Sequence, residues 1–308
     1  MSLKVVDLFS GAGGFSTGAA LAGCQVVWAA NHWQAAVDTH ALNHPDAIHL
    51  CQDLHQADWS QTPGHDLMVA SPCCQGHSKA RGKGSGNPQH DASRSTAWAV
   101  VSAAEYHRPP VIIVENVPEF VNWPLFKAWQ QAMNTLAYSV APHVIDAADY
   151  GAPQHRVRLF LVMTRTQSPL HLRIQRQDHI PAKRFFDFSA GNWSPIHRKG
   201  RSLSTLQRVK RGRERFGDRF LMPYYGSGSG LTGRSLDRPI GTITTRDRWA
   251  IVDGDRMRML SRWECRAAMS FPDSYKLPDN HRLSVHLLGN AVCPEPVRHI
   301  INAVKEAA

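Results

Sequence analysis

Over the first half of this chain, short apolar runs alternate with stretches of helical character, and that alternation limits the fold more than any other feature. An apolar run at 5–9 leads through a glycine-rich turn into a helical pattern over 14–22; 26–30 is again strand-like and 33–42 helical. Runs at 47–50 and 67–70, a helical stretch at 94–106, a buried-type run at 111–114, a helical stretch at 125–136 and a run at 157–163 continue the pattern. Parallel strands covered on both faces produce such runs. The expected fold class is α/β, a doubly wound Rossmann-like domain.

After about 164 the alternation stops. Residues 165–238 hold sixteen Lys and Arg against five Asp and Glu, a net of +11, while the remainder of the 308 residues nets −1. One segment therefore carries essentially all of the chain's +10, which points to a polyanionic partner. A solvated basic surface or a disordered basic loop would have the same charge. The aromatics interleaved with it (Phe185, Phe186, Trp193, Phe216, Phe220) would instead anchor a folded unit. A smaller basic domain is expected here, ending in the glycine-rich stretch 224–230, and a helix over 292–304 is expected to return to the first domain. The expected boundaries are 1–172, 173–260 and 261–308.

Several classes are excluded. No run of 18 apolar residues is present, so no membrane span is expected, and residues 1–7 lack the apolar core of a signal peptide. Cysteines at 24, 51, 73, 74, 265 and 293 form no Cys-x-x-Cys pair, and the 17 histidines show no metal-ligand spacing. That pattern suits free thiols in a reducing cytosol and no metal.

Asp7-Leu8-Phe9-Ser10-Gly11-Ala12-Gly13-Gly14-Phe15 lies where the first strand turns into the first helix. Glycines there let the backbone approach a ligand, and the helix N-terminus adds partial positive charge. A dinucleotide fingerprint needs Gly-x-Gly-x-x-Gly, and position 16 is serine. Trp33 after the second strand and Asp53 after the third would stand at the carboxyl edge of the sheet, where Trp33 could stack on an adenine and Asp53 accept from its amino group. A tight turn, a core tryptophan and a turn aspartate would explain the same residues.

Three further stretches carry chemistry. Cys73-Cys74-Gln75-Gly76-His77-Ser78 follows a buried strand, Glu115-Asn116-Val117 ends another, and Gln154-His155-Arg156-Val157-Arg158 opens a third. A thiolate, a carboxylic acid and arginines suit attack on a pyrimidine ring: a thiolate adding at C6 of cytosine makes C5 an enamine carbon able to take a methyl group, an acid near N3 neutralises the developing charge, and arginines favour the ionised cysteine. In a duplex the base must first leave the stack.

On these motifs the chain resembles the cytosine-5 DNA methyltransferases, of bacterial or phage type, over nearly its whole length. Residues 7–15 resemble the family's first cofactor motif, 74–78 its nucleophile motif, 115–117 its Glu-Asn-Val motif and 154–158 its Gln-x-Arg-x-Arg motif. Arg238-Pro239-Ile240-Gly241-Thr242-Ile243-Thr244-Thr245 is similar to the motif closing the target-recognition region, and Gly289-Asn290-Ala291-Val292 to the last motif. The resemblance implies a methyltransferase domain, S-adenosyl-L-methionine as cofactor and a target-recognition domain. It implies Cys74 as nucleophile, Glu115 on the cytosine N3 edge, Arg158 on its carbonyl and Arg156 supporting the cysteine. Phe9, Ser10, Gly11, Ala12, Gly13, Gly14, His32, Trp33, Asp53, Leu54, Asn290, Ala291 and Val292 would hold the cofactor. Gln75, Ser78, Arg81, Lys210, Arg211, Arg213 and Arg215 would meet DNA, with 78–94 closing as a lid.

Two departures stand out. Cys73 replaces the proline before the family's nucleophile, and a gap-free match from both sides puts the nucleophile at Cys74 rather than Cys73. His32 stands where many members have an acid that contacts the cofactor ribose. The expected partner is double-stranded DNA, in the bacterial cytosol and at the nucleoid, with the chain a monomer and a cognate restriction endonuclease in the same system. A transfer RNA methyltransferase on the same fold and a non-catalytic DNA-binding relative are the alternatives. A Cys-Phe-Thr signature would mark the former, yet no cysteine lies between Cys74 and Cys265. Intact Cys74, Glu115 and Arg158 oppose the latter.

Overall fold

The computed structural model describes residues 2–73, 96–224 and 233–307. The chain folds into two compact units: 1–147 with 157–176 and 291–308, and 148–156 with 177–290.

The first unit is built on seven strands: β1 (Lys4–Leu8), β2 (Gln25–Asn31), β3 (Ile48–Cys51), β4 (Leu67–Ala70), β5 (Val111–Asn116), β6 (Ser139–Asp146) and β7 (Val157–Thr164). Their order is β3-β2-β1-β4-β5-β7-β6, with β1 to β5 parallel and β7 antiparallel to both neighbours. The order reverses between β1 and β4. Right-handed crossovers then place the helices of the two halves on opposite faces, which is the doubly wound arrangement expected. On one side lie α1 (Gly14–Leu21) and α2 (Gln34–Asn43); on the other, α3 (Ala97–His107) and α4 (Phe126–Thr135). Val6 and Leu8 of β1 join Val100, Trp129 and Met133 in a core, whereas Asp7, between them, faces α1. Buried polar tips in that core are satisfied: Trp129 donates to the Ala97 carbonyl and Tyr138 to that of Pro109.

Of the first unit's strands, β6 has no counterpart among the expected apolar runs. β6 carries Pro142 and His143 among its apolar residues, and Val144 is exposed. It is an edge strand, where proline is tolerated and one side faces solvent, so its pattern is that of a loop.

The second unit contains β8 (Ser194–Pro195), α5 (Leu203–Phe216), β9 (Arg219–Pro223), β10 (Trp249–Asp253), β11 (Arg256–Met259), α6 (Arg262–Ala268) and α7 (His281–Asn290). The strands form an antiparallel sheet, β8-β11-β10-β9. Val209 of α5 packs with Ile196, Phe220, Met222, Val252 and Met257. Gly212 is needed there, because a Cβ would stand 2.2 Å from the Phe220 ring. A buried bidentate pair, Arg258 to Glu264, ties β11 to α6, and Glu264 closes a capping box with Ser261.

The unit boundaries differ from those drawn on the sequence. Residues 148–156 belong to the second unit because Gln154, fully buried, accepts from the Ile243 amide and donates to the Ala268 carbonyl. Within 261–308, expected as a hinge and returning segment, α6 and α7 lie in the second unit and residues from 291 in the first, where α8 (Pro294–Ala307) packs on α1. Among the described residues, no helix is long and apolar enough to cross a membrane.

Candidate active site

The parallel strands of the first unit bring their carboxyl ends to one edge, and β7, running the other way, begins there. That edge gathers the 9–13 loop after β1, His32 and Trp33 after β2, Asp53 after β3, Ser71 to Cys73 after β4, Glu115 and Asn116 at the end of β5, and Arg158 at the start of β7. Ligands of open α/β sheets bind at such an edge, beside the strand-order reversal.

Register explains the pairing of Glu115 with Arg158. Glu115 is opposite Phe160 in the β5–β7 ladder, so Arg158, two residues earlier, is its diagonal neighbour on the same face. Arg158 Nε lies 3.1 Å from Glu115 Oε1, and the two side chains are 18% and 9% exposed. A carboxylate and a guanidinium thus stand together, largely desolvated but reachable.

Two residues missed in the sequence hold the strand end before Cys74. Asn116 donates its Nδ2 to the Pro72 carbonyl at 3.1 Å, while its Oδ1 accepts from the Val117 amide. Thr96, just before α3, accepts the Cys73 amide at 3.1 Å. The Glu-Asn-Val triplet could have flagged Asn116; nothing local flags Thr96. Cys74, Gln75, Ser78, Arg81 and the expected lid at 78–94 lie outside the described residues.

The 9–13 loop is tightly held. Phe9 has φ +60, unusual for a bulky residue. Its carbonyl accepts from Ser71 Oγ, and the Ser10 amide donates to the Ala30 carbonyl. Gly11 and Gly13 adopt φ +53 and +73. Ser10 and Ala12 are buried. A Cβ on Gly14 would meet the Val292 carbonyl oxygen at 2.0 Å, so this glycine admits the backbone of the C-terminal segment. Ala291 and Val292 are buried.

Along the neighbouring strand ends, Trp33 is half-buried, its amide capped by Asn31 Oδ1, and His32 is exposed. Asp53 is exposed and accepts from the His55 amide through one oxygen, leaving the other for a ligand. A glycine loop at positive φ, a half-buried indole and an exposed carboxylate suit a nucleoside-bearing group. Leu54 and Asn290 behave differently from expectation: the Leu54 side chain lies in the core, and Asn290 is an exposed residue of the second unit. Among the described residues no group of three or more His, Cys, Asp or Glu could hold a metal.

In the second unit, Arg156 is buried and donates to the Ile243 and Gly289 carbonyls. Much of this unit's positive charge is engaged in holding it together. Arg219 and Arg256 pair with Asp253, and Arg213 bonds Asp255 and the Gly254 carbonyl. On α5, Lys210, Arg211 and Arg215 are exposed instead. The expected DNA-facing cluster thus divides into three outward cations and one structural one, Arg213.

A doubly wound sheet of this order, with a glycine loop and a carboxylate–guanidinium pair at its carboxyl edge, defines a Rossmann-like ligand-binding fold. The chain belongs to the C-5 cytosine-specific DNA methylase family, whose model matches residues 3–306. The methyl donor of that family is S-adenosylmethionine. The chain is 26% identical over 314 residues to the type II methyltransferase M.HhaI of Haemophilus parahaemolyticus, covering 97% of this chain and 93% of that protein. It is 34% identical over 167 residues to M.HgiDI of Herpetosiphon aurantiacus, a match spanning 52% of each. In fold it is similar to DNMT2 of Spodoptera frugiperda, with a TM-score of 0.72 at 16% identity, covering 99% of this chain and all of that one (100%).

Proposed function

We propose that this chain methylates C5 of a cytosine flipped out of double-stranded DNA, through a covalent bond between Cys74 and C6. The observation that carries the reading is the Glu115–Arg158 pair at the strand edge beside the held Pro72–Cys73 backbone. In this reading Cys74 Sγ adds to C6, while Glu115 hydrogen-bonds the N3 edge and Arg158 the ring carbonyl, so that charge entering the ring is neutralised as it develops. The cofactor, once bound, supplies an electrophilic sulfonium methyl. C5 takes that methyl, which leaves the donor sulfur as a neutral thioether; water or another base then removes the C5 proton, and its bonding pair expels Sγ as the thiolate and restores the aromatic ring. Arg156 is assigned to the second unit's frame, through its bonds to the Ile243 and Gly289 carbonyls. The 148–156 and 177–290 unit is assigned to target recognition. Action as a monomer in the bacterial cytosol, alongside a cognate restriction endonuclease, belongs to the same reading.

Bisulfite sequencing of DNA from cells expressing the protein tests it. Protected cytosines at one recurring sequence are expected; complete conversion of the DNA, with methylated transfer RNA instead, would overturn it.

For the cofactor, Phe9, the 10–13 backbone, Trp33 and Asp53 are the assigned contacts. Calorimetry should show binding of S-adenosylhomocysteine and none of NAD. Asp53→Ala should weaken binding by roughly 10-fold, the effect of losing one polar partner of the adenine. Equal binding of NAD, or an Asp53→Ala protein that binds as the wild type does, would overturn the assignment.

The outward cations of α5 give a second test. Each phosphate neutralised contributes a slope of about −0.9 to the log–log dependence of DNA affinity on salt. Replacing Lys210, Arg211 and Arg215 by alanine should flatten that slope by up to about 3 units without lowering the melting temperature. Arg213→Ala should lower the melting temperature modestly, because it removes the α5 side chain that donates to the Gly254 carbonyl, while Asp255, 88% exposed, stays hydrated. An unchanged slope in the triple variant would place DNA elsewhere.

A further inference from the structure

In the second unit, a cavity of about 330 Å³ lies among residues that the proposed reaction does not use. Phe188, Phe216 at the end of α5 and Leu236 form its apolar lining; Lys183, Arg219 of β9 and Asp237 supply charge. The two rings are half-buried and Leu236 is buried. Contacts within the unit fix these walls. Ala182 and Lys183 donate their amides to the Arg238 and Leu236 carbonyls, both at 2.9 Å. The Phe188 carbonyl accepts from Arg256 Nη2, and Leu221 and Arg234 exchange backbone bonds. A Cβ on Gly233 would stand 2.6 Å from the Phe220 ring and 3.1 Å from that of Phe216, so glycine there brings 233–237 close against both rings.

The cations of the cavity are placed by carboxylates but not used up by them. Lys183 Nζ lies 2.7 Å from Asp237 Oδ1, and the ammonium has further hydrogens to give. Arg219 Nε lies 2.6 Å from Asp253 Oδ1, and its Cζ stands 4.6 Å from the centroid of the Phe188 ring. Among the described residues, neither Nη of Arg219 has a hydrogen-bond partner. Asp253 is shared by Arg219 and Arg256, so these groups together keep a positive charge. The Arg219 guanidinium is therefore held through Nε and through its stack on Phe188, with its Nη hydrogens left for a ligand.

We propose that this cavity takes one unstacked nucleotide of a DNA strand, with the base against Phe188, Phe216 and Leu236 and the phosphate on Arg219 and Lys183. The chemistry of the lining selects this occupant. A backbone phosphate of a duplex needs only outward cations, such as those of α5, and makes no use of aromatic and aliphatic side chains lining a concavity. An uncharged apolar ligand would leave the Arg219 Nη hydrogens unanswered. A nucleotide satisfies both parts, since its base offers a flat face to the rings and its phosphate accepts from guanidinium and ammonium. Small-ligand sites span roughly 300–1,000 Å³, so a cavity at the lower end of that range matches a single nucleotide and excludes a duplex. The net charge of +11 over 165–238 draws a polyanion to the unit, and walls already held need little ordering on binding. The proposal rests on the assignment of this unit to target recognition, and it adds a hold on a base to a hold on the backbone.

The test is fluorescence anisotropy of a labelled oligothymidylate titrated with the whole protein; this strand holds no cytosine, so the methylation reaction has no target base in it. The wild type should bind. Phe188→Ala should weaken binding by about 10-fold, the loss of one base–aromatic stack, and should leave the salt dependence unchanged because no charge is removed. Phe188→Leu, which keeps an apolar side chain in the wall, should weaken it as well. Arg219→Ala should weaken binding and flatten the log–log salt slope by about 0.7, the contribution of one phosphate on a single strand. Its melting temperature should stay near that of the wild type, because Asp253 keeps its bonds to Arg256. A wild type that binds neither oligothymidylate nor duplex DNA would sink the DNA reading of the unit itself. Duplex binding without oligothymidylate binding, or Phe188 variants that both bind as the wild type does, would overturn the cavity proposal alone. Thymidine 5′-monophosphate bound by the wild type and lost in Phe188→Leu, with the oligonucleotide unaffected, would assign the cavity to a free nucleotide and overturn it too.

Discussion

Cys74→Ser should abolish the covalent trapping of DNA that carries 5-fluorocytosine at the target, while Cys73→Ser and Cys73→Pro should both retain it. Fluorine cannot leave C5 as a proton does, so elimination is blocked and the enzyme stays attached. The two cysteines compete because Pro72-Cys73 and Cys74-Gln75 each preserve half of the family's motif. Spacing favours Cys74, and the geometry beside it strengthens the reading. The Pro72 carbonyl accepts from Asn116, and the Cys73 amide donates to Thr96. Cys73 is thus fixed between β5 and α3 in the place of a proline, and its half-buried side chain is left to packing. Making Cys73 the nucleophile would require an inserted residue in this held turn, and about 1 Å of misplacement can cost on the order of 100-fold. Loss of an enzyme's nucleophile removes rate on the order of 10^4-fold or more. Turnover should therefore vanish with the trapped band in Cys74→Ser. A band that survives in Cys74→Ser and disappears in Cys73→Ser would reverse the assignment.

The first unit was legible in the sequence because its inner strands β1, β2, β4, β5 and β7 are largely buried on both faces, which leaves apolar runs of clear length. The edge strand β6 was not, because Pro142, His143 and the exposed Val144 obey no such constraint. The second unit was legible only as charge. α5 reads Leu-Ser-Thr-Leu-Gln-Arg-Val-Lys-Arg-Gly-Arg-Glu-Arg-Phe, and its buried stripe of Thr205, Val209 and Gly212 is too small and polar to mark a helix. Gly212 lies in that stripe because Phe220 presses against it, a contact between residues that sequence spacing does not relate. The candidate site was legible where strand ends carry it: Glu115 and Arg158 follow from motif and register together. Leu54 and Arg213 show the opposite case. Each lies beside residues of the expected type, but only tertiary packing decides that Leu54 turns into the core and that Arg213 bonds Asp255. Asp7 belongs to the stretch that resembles the cofactor motif, and its place in a hydrogen-bonded chain with Ser16, His40 and His49 depends on contacts from β1 to α1, α2 and β3.

The glycines of the first motif can be separated by two kinds of constraint. Gly14→Ala should be the most destabilising small substitution in the loop, and it should remove cofactor binding along with stability. Its Cβ would stand 2.0 Å from the Val292 carbonyl oxygen, 2.9 Å from that carbonyl carbon and 3.0 Å from the Val292 amide nitrogen. All three are backbone atoms, so no rotamer change relieves the overlap. One turn on, Gly18 would press a Cβ against the Pro294 carbonyl and the Val297 side chain. Positions 14 and 18 thus form the seam along which α1 and α8 pack, and α8 can yield only by moving as a helix. Overpacking of a core costs about 1–3 kcal/mol, and a clash with backbone belongs at the upper end or beyond. Gly11→Ala provides the contrast. A Cβ there meets only the Phe9 carbonyl, at an ordinary 3.9 Å, and the cost is the left-handed φ of +53, roughly 1 kcal/mol. Thermal denaturation with and without S-adenosylhomocysteine should therefore show a large loss for Gly14→Ala with no ligand stabilisation. Gly11→Ala should show a small loss with ligand stabilisation partly kept. Equal losses in the two variants would mean that α8 accommodates the added methyl group, and that Gly14 serves the turn rather than the seam.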